Sequence, residues 1–132
     1  MQPVAIDWLD SLVWNSAGLV PAIVQDAENG QVLMLAWMNR DALLKTLETG
    51  QSHFYSRSRG ALWHKGGTSG HVQHVEEMRI DCDADVILLR VRQAGGACHE
   101  GYRTCFFRRV NRGGEVECVE TRVFEPGRVY GE

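Results

Sequence analysis

The segment Asp81–Asp85 concentrates three carboxylates and one thiol within five consecutive positions. If this segment is extended, Asp81, Asp83 and Asp85 share one face and Cys82 points to the other. A row of carboxylate oxygens suits a hard cation such as Mg²⁺. A thiolate suits a softer metal such as Zn²⁺, provided that other thiolates reach it. The structural alternative is an acidic β-turn, because Asp favours turns.

Two further cysteines, Cys98 and Cys105, lie six residues apart among glycines. This spacing is not C-x-x-C, so it fits neither a zinc ribbon nor a thioredoxin-type redox motif. With Cys82 they would give zinc three protein ligands and leave one position open, as in catalytic zinc sites. Zinc lowers the pKa of its bound water to about 7, and His99 could transfer protons at that pH. The alternative for a cysteine is a small buried hydrophobe, which we expect of Cys118.

A glycine-rich stretch, ALWHKGGTSGH at positions 61–71, precedes the acidic segment. Glycines let backbone N–H groups approach an anion closely, and Lys65, Thr68 and Ser69 add further donors. The stretch lacks the spacing of a nucleotide-triphosphate P-loop. It therefore predicts either a phosphate-binding loop or a flexible surface loop. His64, within the stretch, competes with His99 as the group that transfers protons.

One amphipathic helix and several β-hairpins must position these residues. The helix is predicted at Arg40–Thr49, with Asn39 as its N-cap, a stripe of leucines facing the core and Gly50 at its end. Asn29-Gly30 between two apolar runs indicates a hairpin. The predicted strands are Val20–Gln25, Gln31–Met38, Ser52–Ser56, His71–Ile80, Val86–Gln93, Phe106–Val110 and Val116–Phe124.

Length and composition restrict the class of protein. The 132 residues fit a single domain spanning 1–132. A net charge of −3 argues against nucleic-acid binding, and no apolar run is long enough to cross a membrane. The N-terminus lacks the basic region of a signal peptide, so we expect a cytoplasmic protein. In that reducing compartment disulfides are rare, so we expect the four cysteines to be free thiols or metal ligands. We expect a short helix within residues 1–19, where Ile6, Leu9 and Val13 have helical spacing, and a poorly ordered tail at 125–132 unless it docks.

Several separated motifs resemble, in the same order, those of the phosphoribosyl-AMP cyclohydrolase family. They are WHKG at 63–66, TSGH at 68–71, DCDAD at 81–85 and GGACH at 95–99, followed by Cys105. The resemblance covers roughly residues 20–107. It implies an enzyme of the third step of histidine biosynthesis, which hydrolyses the N1–C6 bond of 1-(5-phosphoribosyl)-AMP to the formimino-carboxamide ribotide. Some relatives carry a fused pyrophosphohydrolase domain, which we expect to be absent because the chain ends soon after Phe124.

The resemblance also implies two metals and a homodimer. Cys82 would reach zinc across the dimer interface, so each zinc site would contain residues of both subunits. The roles that it implies are zinc binding by Cys82, Cys98 and Cys105 and magnesium binding by Asp81, Asp83 and Asp85. Our own hypothesis adds catalysis by His99, with His64 as its competitor, and substrate binding by Trp63, Lys65, Gly66, Thr68, Ser69 and Gly70.

We therefore predict a β-rich α+β domain in which antiparallel hairpins pack with one main helix. The active site would lie at the interface of an intertwined homodimer in the cytoplasm. Two other functions use similar ligands. A non-catalytic zinc module would need a fourth protein ligand and a closed site. A nucleobase deaminase would need H-x-E and P-C-x-x-C motifs, which the sequence lacks.

Overall fold

The computed structural model describes residues 7–129 and confirms a β-rich fold with one main helix and antiparallel hairpins. A single 3₁₀ turn, Asp7–Ser11, precedes the first strand. In chain order the other elements are β1 (Val20–Asp26), β2 (Val32–Met38), α1 (Arg40–Thr49), β3 (His53–Ser56), β4 (Ala61–His64), β5 (Gln73–Ile80), β6 (Ile87–Gln93), β7 (Arg108–Val110), β8 (Val116–Cys118) and α2 (Pro126–Val129).

The central sheet has the strand order β2-β1-β6-β5. β1 and β2 form the predicted antiparallel hairpin, and β5 and β6 form another. The centre of the sheet is instead a parallel pair, with Val24 of β1 opposite Leu89 of β6. Alternate residues of these two strands are buried, which gives the sheet one core face. Parallel pairing joins segments more than sixty positions apart, so neighbouring sequence signals did not predict it.

Helix α1 begins and ends at the predicted residues. The Asn39 side chain accepts a hydrogen bond of 2.8 Å from the Ala42 N–H, as an N-cap does. Gly50 closes the helix at φ +72°, a conformation that favours glycine, and its N–H donates to the Thr46 carbonyl. Leu43 is completely buried against the sheet.

A third hairpin lies where a loop was predicted. Residues 61–64 form strand β4, which pairs with β3, and only the residues after His64 make a loop. Trp63 is opposite Phe54 in this pairing, and their rings are 5.2 Å apart. The apolar residues before His64 thus pair with β3. The sequence did not indicate this strand, because the glycines after His64 suggested a loop. The Ser52 N–H donates to the Gln73 carbonyl and ties this hairpin to β5.

The C-terminal hairpin is shorter than predicted. β8 ends at Cys118, and the chain from 119 to 125 is irregular. The predicted strand to Phe124 is therefore wrong, because the chain leaves the hairpin and folds back on the cysteine loop, where the Val123 N–H donates to the Gly101 carbonyl at 2.7 Å. The tail forms the short helix α2, and residues 130–132 lie outside the described part.

The N-terminal helix is only the five-residue 3₁₀ turn, and Ile6 lies outside the described residues. Leu9 of that turn is completely buried, as its spacing suggested, but Val13 is exposed. Within residues 7–129, no helix is long and apolar enough to cross a membrane.

Candidate active site

A cleft of about 450 Å³ opens between the end of β4 and the cysteine loop. It brings together most of the residues that the sequence predicted for catalysis and substrate binding, including both candidate histidines. Gly70 is the one predicted substrate-binding residue that does not line it. The lining residues are Arg59, Trp63, His64, Lys65, Gly66, Gly67, Thr68, Ser69 and His99.

The glycine-rich loop along the cleft is a hydrogen-bonded turn. The Gly67 N–H donates to the His64 carbonyl at 3.0 Å, and the Gly70 N–H donates to the Gly66 carbonyl at 2.8 Å. Gly66 has φ +84°, and a Cβ there would lie 2.3 Å from the Val72 nitrogen. Both the dihedral angle and the lack of space require glycine at this position.

Arg59 is the lining residue that the sequence did not single out. It lies in the turn between β3 and β4, where its Nε donates to Ser56 Oγ at 3.4 Å. The side chain is exposed and its guanidinium is suited to phosphate. The available signal was a pair of arginines, Arg57 and Arg59, directly before Gly60.

The two candidate catalytic histidines have different environments. His64 stacks on His53 with ring centroids 4.6 Å apart, and its Nε2 lies 2.6 Å from Gln51 Oε1. Burial, and secondly the charge of His53, lower the pKa of His64, which favours its neutral form near pH 7. His99 is exposed and lies next to Cys98 in the chain.

Cys98 and Cys105 come together beside Lys65. Cys98 is buried, whereas Cys105 is exposed. Burial, and secondly the neighbouring Cys98, raise the pKa of Cys105 to about 11, and Lys65 opposes this rise. Burial lowers the pKa of Lys65, while the charges of the two cysteines act in the opposite direction. The pair therefore lies close enough to Lys65 for the charges to interact.

Backbone hydrogen bonds hold the cysteine loop in shape. The Cys98 N–H donates to the Tyr102 carbonyl at 3.1 Å, and the Gly101 N–H donates to the Cys98 carbonyl at 3.1 Å. The Cys105 N–H donates to the Leu33 carbonyl at 2.7 Å, which fixes the end of the loop to β2. Two thiols are thereby presented from one ordered loop.

Arg103 fastens the same loop to the central sheet. Its guanidinium forms an ion pair with Asp26 and donates to the carbonyls of Gln93 and Gly95, at 3.1 and 2.8 Å. Burial raises the pKa of Asp26, but hydrogen bonds from the Glu28 and Asn29 N–H groups and from Arg103 outweigh it, so the net pKa is lowered. The carboxylate is therefore charged at neutral pH and attracts the guanidinium.

The acidic segment is a turn between β5 and β6, so of the two arrangements that the sequence left open the structure has the turn and not the extended one. Its left-handed residue is Ala84, at φ +59°, and the Asp81 carboxylate accepts hydrogen bonds from the N–H groups of Asp85 and Val86. Tight chain reversal between two paired strands leaves no room for five extended residues. One carboxylate oxygen from each of Asp81, Asp83 and Asp85 nevertheless lies within 4.8 Å of the others.

The three exposed carboxyls affect one another. Burial raises the pKa of Asp81, but backbone hydrogen bonds led by that of Asp85 outweigh it and lower the net pKa. Burial, the hydrogen bond with Asp81 and the charges of Asp81 and Asp83 raise the pKa of Asp85. Such repulsion between carboxylates is relieved when a cation binds between them.

Cys82 does not join the other two thiols within one protomer. It is exposed in the acidic turn, and its Sγ lies 3.9 Å from Asp83 Oδ1, so it does not point away from the aspartates as expected. Within residues 7–129, the aspartates are the only group of three metal-binding side chains. The expectation of a buried Cys118 is also wrong: it is exposed, with its Sγ 3.3 Å from the Glu120 carbonyl.

The zinc ligands brought together within the chain are incomplete, whereas the three magnesium ligands lie together. Two adjacent thiols with a nearby cation suit zinc, but a catalytic zinc site needs a third protein ligand. Three converging carboxylates on a solvent-exposed turn suit Mg²⁺, which keeps several water ligands.

Comparison with known proteins gives one consistent family. The family model described as phosphoribosyl-AMP cyclohydrolase matches residues 34–107. A protein of that name from Nitratidesulfovibrio vulgaris is 60% identical over 117 residues, which are 88% of this chain and 92% of the relative. Its namesake from Pelotomaculum thermopropionicum is 60% identical over 124 residues, covering 94% and 96% of the two chains. A third, from Cellvibrio japonicus, is 58% identical over 125 residues, covering 94% and 98%.

Proposed function

The chain belongs to the phosphoribosyl-AMP cyclohydrolase family, and we propose that it opens the adenine ring of 1-(5-phosphoribosyl)-AMP in histidine biosynthesis. A water oxygen bonds to C6, the N1–C6 bond breaks and N1 receives a proton. The exocyclic nitrogen stays on C6 as part of a carboxamide, and N1 becomes part of the formimino group. The observation that carries this proposal is the cleft that joins His64, His99 and the glycine-rich loop beside two thiols.

Zinc is the metal that the thiols would hold. Cys98 and Cys105 supply two ligands from one protomer, and we propose that Cys82 of the partner subunit supplies the third. The exposed position of Cys82 in the acidic turn supports this arrangement, because its sulfur is accessible to a second copy of the chain. When bound there, zinc supplies hydroxide at neutral pH. Thiolate ligands must stay reduced, which agrees with a cytoplasmic location.

The cleft residues would bind and orient the substrate. The exposed guanidinium of Arg59 and the hydroxyls of Thr68 and Ser69 can donate to a phosphate. Trp63 offers a partly buried ring for stacking on the base. Lys65 was also predicted to contact phosphate, but its ammonium donates to the Ala97 carbonyl within the protein.

Proton transfer would fall to a histidine of the cleft. His99 is exposed and adjoins a zinc ligand, so it is well placed to accept a proton from water and deliver it to N1. His64 has its Nε2 occupied by Gln51, which leaves Nδ1 as the nitrogen able to accept a proton. We therefore propose His99 for the transfer and His64 for an interaction with the substrate.

Magnesium would bind at the acidic turn. Asp81 already accepts two backbone hydrogen bonds that shape the turn, whereas Asp83 Oδ1 accepts a long contact of 3.9 Å from Cys82 Sγ that a cation could replace. With Mg²⁺ bound, the turn would offer a second attachment point for a substrate with two phosphates. Asp83 is accordingly the residue at which magnesium binding can be tested without removing the hydrogen bonds of the turn.

An absorbance assay on phosphoribosyl-AMP, paired with metal analysis, tests the proposed activity. We expect zinc-dependent ring opening, a loss of about 10²–10⁴-fold in kcat for His99→Ala with zinc still bound, and a smaller loss for His64→Ala. Turnover by protein that contains no zinc would refute the metal mechanism. An absence of turnover at every zinc and magnesium concentration would refute the activity itself.

A mixing experiment tests the shared zinc site. Neither C82S nor C105S alone should form a complete site. If the dimers exchange subunits, however, roughly a quarter of the sites in an equal mixture combine intact residues of both chains and recover zinc. Recovery of zinc with activity would support the intertwined homodimer. A mixture that exchanges subunits but stays inactive and zinc-free would contradict it.

A further inference from the structure

Lys65 is a buried cation that pairs with no carboxylate among the described residues. Its exposure is 7%, and within residues 7–129 none of the ion pairs includes it. The ammonium donates to the Ala97 carbonyl and lies 5.6 Å from the centroid of the Trp63 ring. A buried ammonium is costly unless something compensates its charge, and one carbonyl and one ring face offer only partial dipoles.

The groups that can compensate it are the thiols of Cys98 and Cys105, once a bound metal has deprotonated them. The carbonyl that accepts from Lys65 belongs to Ala97, the residue directly before Cys98. The electrostatic interaction between Lys65 and both cysteines is favourable to their charged forms. The ammonium therefore lies against the start of the cysteine loop, where Lys65 and the glycines that follow it line the cleft.

The net charge of the proposed metal centre explains why a cation next to the cysteine loop would matter. Zinc carries two positive charges and three thiolates carry three negative ones, so a centre with three cysteines has a net charge of −1. We propose that Lys65 is the counter-charge of this zinc–thiolate centre and increases its affinity for zinc. This inference rests on the proposed function, because it requires zinc at Cys98 and Cys105.

The proposal changes the role of a residue in the WHKG motif. A lysine beside a glycine-rich loop suggested phosphate binding, but the side chain is buried and its ammonium donates to the carbonyl of Ala97, the neighbour of a proposed zinc ligand. Partial neutralisation of the thiolates leaves zinc a stronger Lewis acid than three uncompensated cysteines would. Lys65 acts through the ligands, so it is a positioning residue and not a catalytic one.

Zinc affinity of the purified full chain, measured by competition with a chromogenic chelator, tests the proposal directly. We expect K65M to bind zinc about 10–100-fold more weakly than the wild type, as for other residues that contact metal ligands. The matched control is K45M, at the only other lysine of the chain, which is exposed on α1 and should leave the affinity unchanged. Equal affinities of K65M and the wild type would overturn the proposal.

The melting temperature distinguishes charge compensation from mechanical support of the loop. If Lys65 acts as the counter-charge, K65M should melt near the wild type without zinc and gain less from zinc. If Lys65 only holds the loop through the Ala97 carbonyl, K65M should lower the melting temperature equally in both conditions, which would overturn the proposal. Should K65M fail to fold, K65Q is polar but uncharged and permits the same two measurements.

The same measurements separate this proposal from the proposed function. If the wild type binds no zinc, the zinc mechanism itself is wrong and the role of Lys65 falls with it. If the wild type binds zinc and turns over substrate while K65M retains full zinc affinity, only the role assigned to Lys65 is wrong.

Discussion

Replacing Arg103 by methionine should destabilise the whole domain, because this side chain joins the cysteine loop to the sheet. Asp26 would lose its ion pair, and the carbonyls of Gln93 and Gly95 would each lose a hydrogen-bond donor. Methionine keeps much of the apolar stem of arginine, so the change mainly removes the guanidinium.

The size of the effect follows from the burial of the pair. Exposed ion pairs contribute up to about 1 kcal/mol, whereas breaking a buried pair costs about 3–5 kcal/mol. Asp26 has a side-chain exposure of 2% but Arg103 one of 31%, so we expect a loss of about 2–3 kcal/mol. For 132 residues, the unfolding entropy is about 0.28 kcal/mol/K, which converts this loss to a decrease in Tm of about 7–11 °C.

The pH dependence of the loss in Tm tests whether Asp26 is the partner through which Arg103 stabilises the domain. Its pKa in the folded protein is below the ordinary value of 3.8. The stabilisation is therefore fully present above about pH 4 and is lost as the pH falls through the folded value. In R103M the lowering of the Asp26 pKa by arginine is absent, so the difference in Tm between wild type and variant should shrink as the pH falls through the folded pKa of Asp26, which lies below 3.8.

Thermal unfolding followed by circular dichroism measures both effects. The control is R109M, because Arg109 pairs with Glu117 on the exposed C-terminal hairpin with side-chain exposures of 64% and 48%. That variant should lose less than about 1 kcal/mol. The reasoning would be refuted if R103M and R109M lowered the Tm equally at pH 7, or if the loss in R103M did not shrink at all as the pH was lowered below 3.8.

Three other changes probe the helix, the cleft and the acidic turn. Gly66→Ala should lower both stability, measured as Tm, and activity, measured as turnover, because the Cβ of the alanine would lie 2.3 Å from the Val72 nitrogen. Thr46→Val should cost about 1–3 kcal/mol in urea unfolding, because the His53 N–H loses its buried acceptor. Asp83→Asn should weaken Mg²⁺ binding about tenfold or more, measured by calorimetry, because one charged ligand is lost.

Matched variants serve as controls for these three. Gly127→Ala introduces a Cβ into open space and should change neither Tm nor turnover. Thr49→Val removes hydrogen bonds that are exposed, so its loss should be smaller than that of Thr46→Val. Glu48→Gln neutralises an exposed acid away from the turn and should leave Mg²⁺ affinity unaltered. Equal effects in a variant and its control would contradict the corresponding prediction.

Local signals in the sequence determined the elements whose causes are local. Asn39 and Gly50 marked the ends of α1 because N-capping and left-handed termination depend on a few neighbouring residues. Asn29-Gly30 marked the first hairpin for the same reason. The motifs also identified the family, because their order and spacing are properties of the sequence itself.

Contacts between distant segments were decided by the tertiary structure alone. The parallel pairing of β1 with β6 and the attachment of Arg103 to Asp26 depend on packing, because the paired residues are far apart in the chain. The inward direction of Lys65 is the clearest example. Residue type and glycine neighbours suggested an anion in the cleft, whereas the packed cysteine loop buried the ammonium beside two thiols. A sequence shows which groups are available, but only the fold decides which opposite charges share a low-dielectric interior.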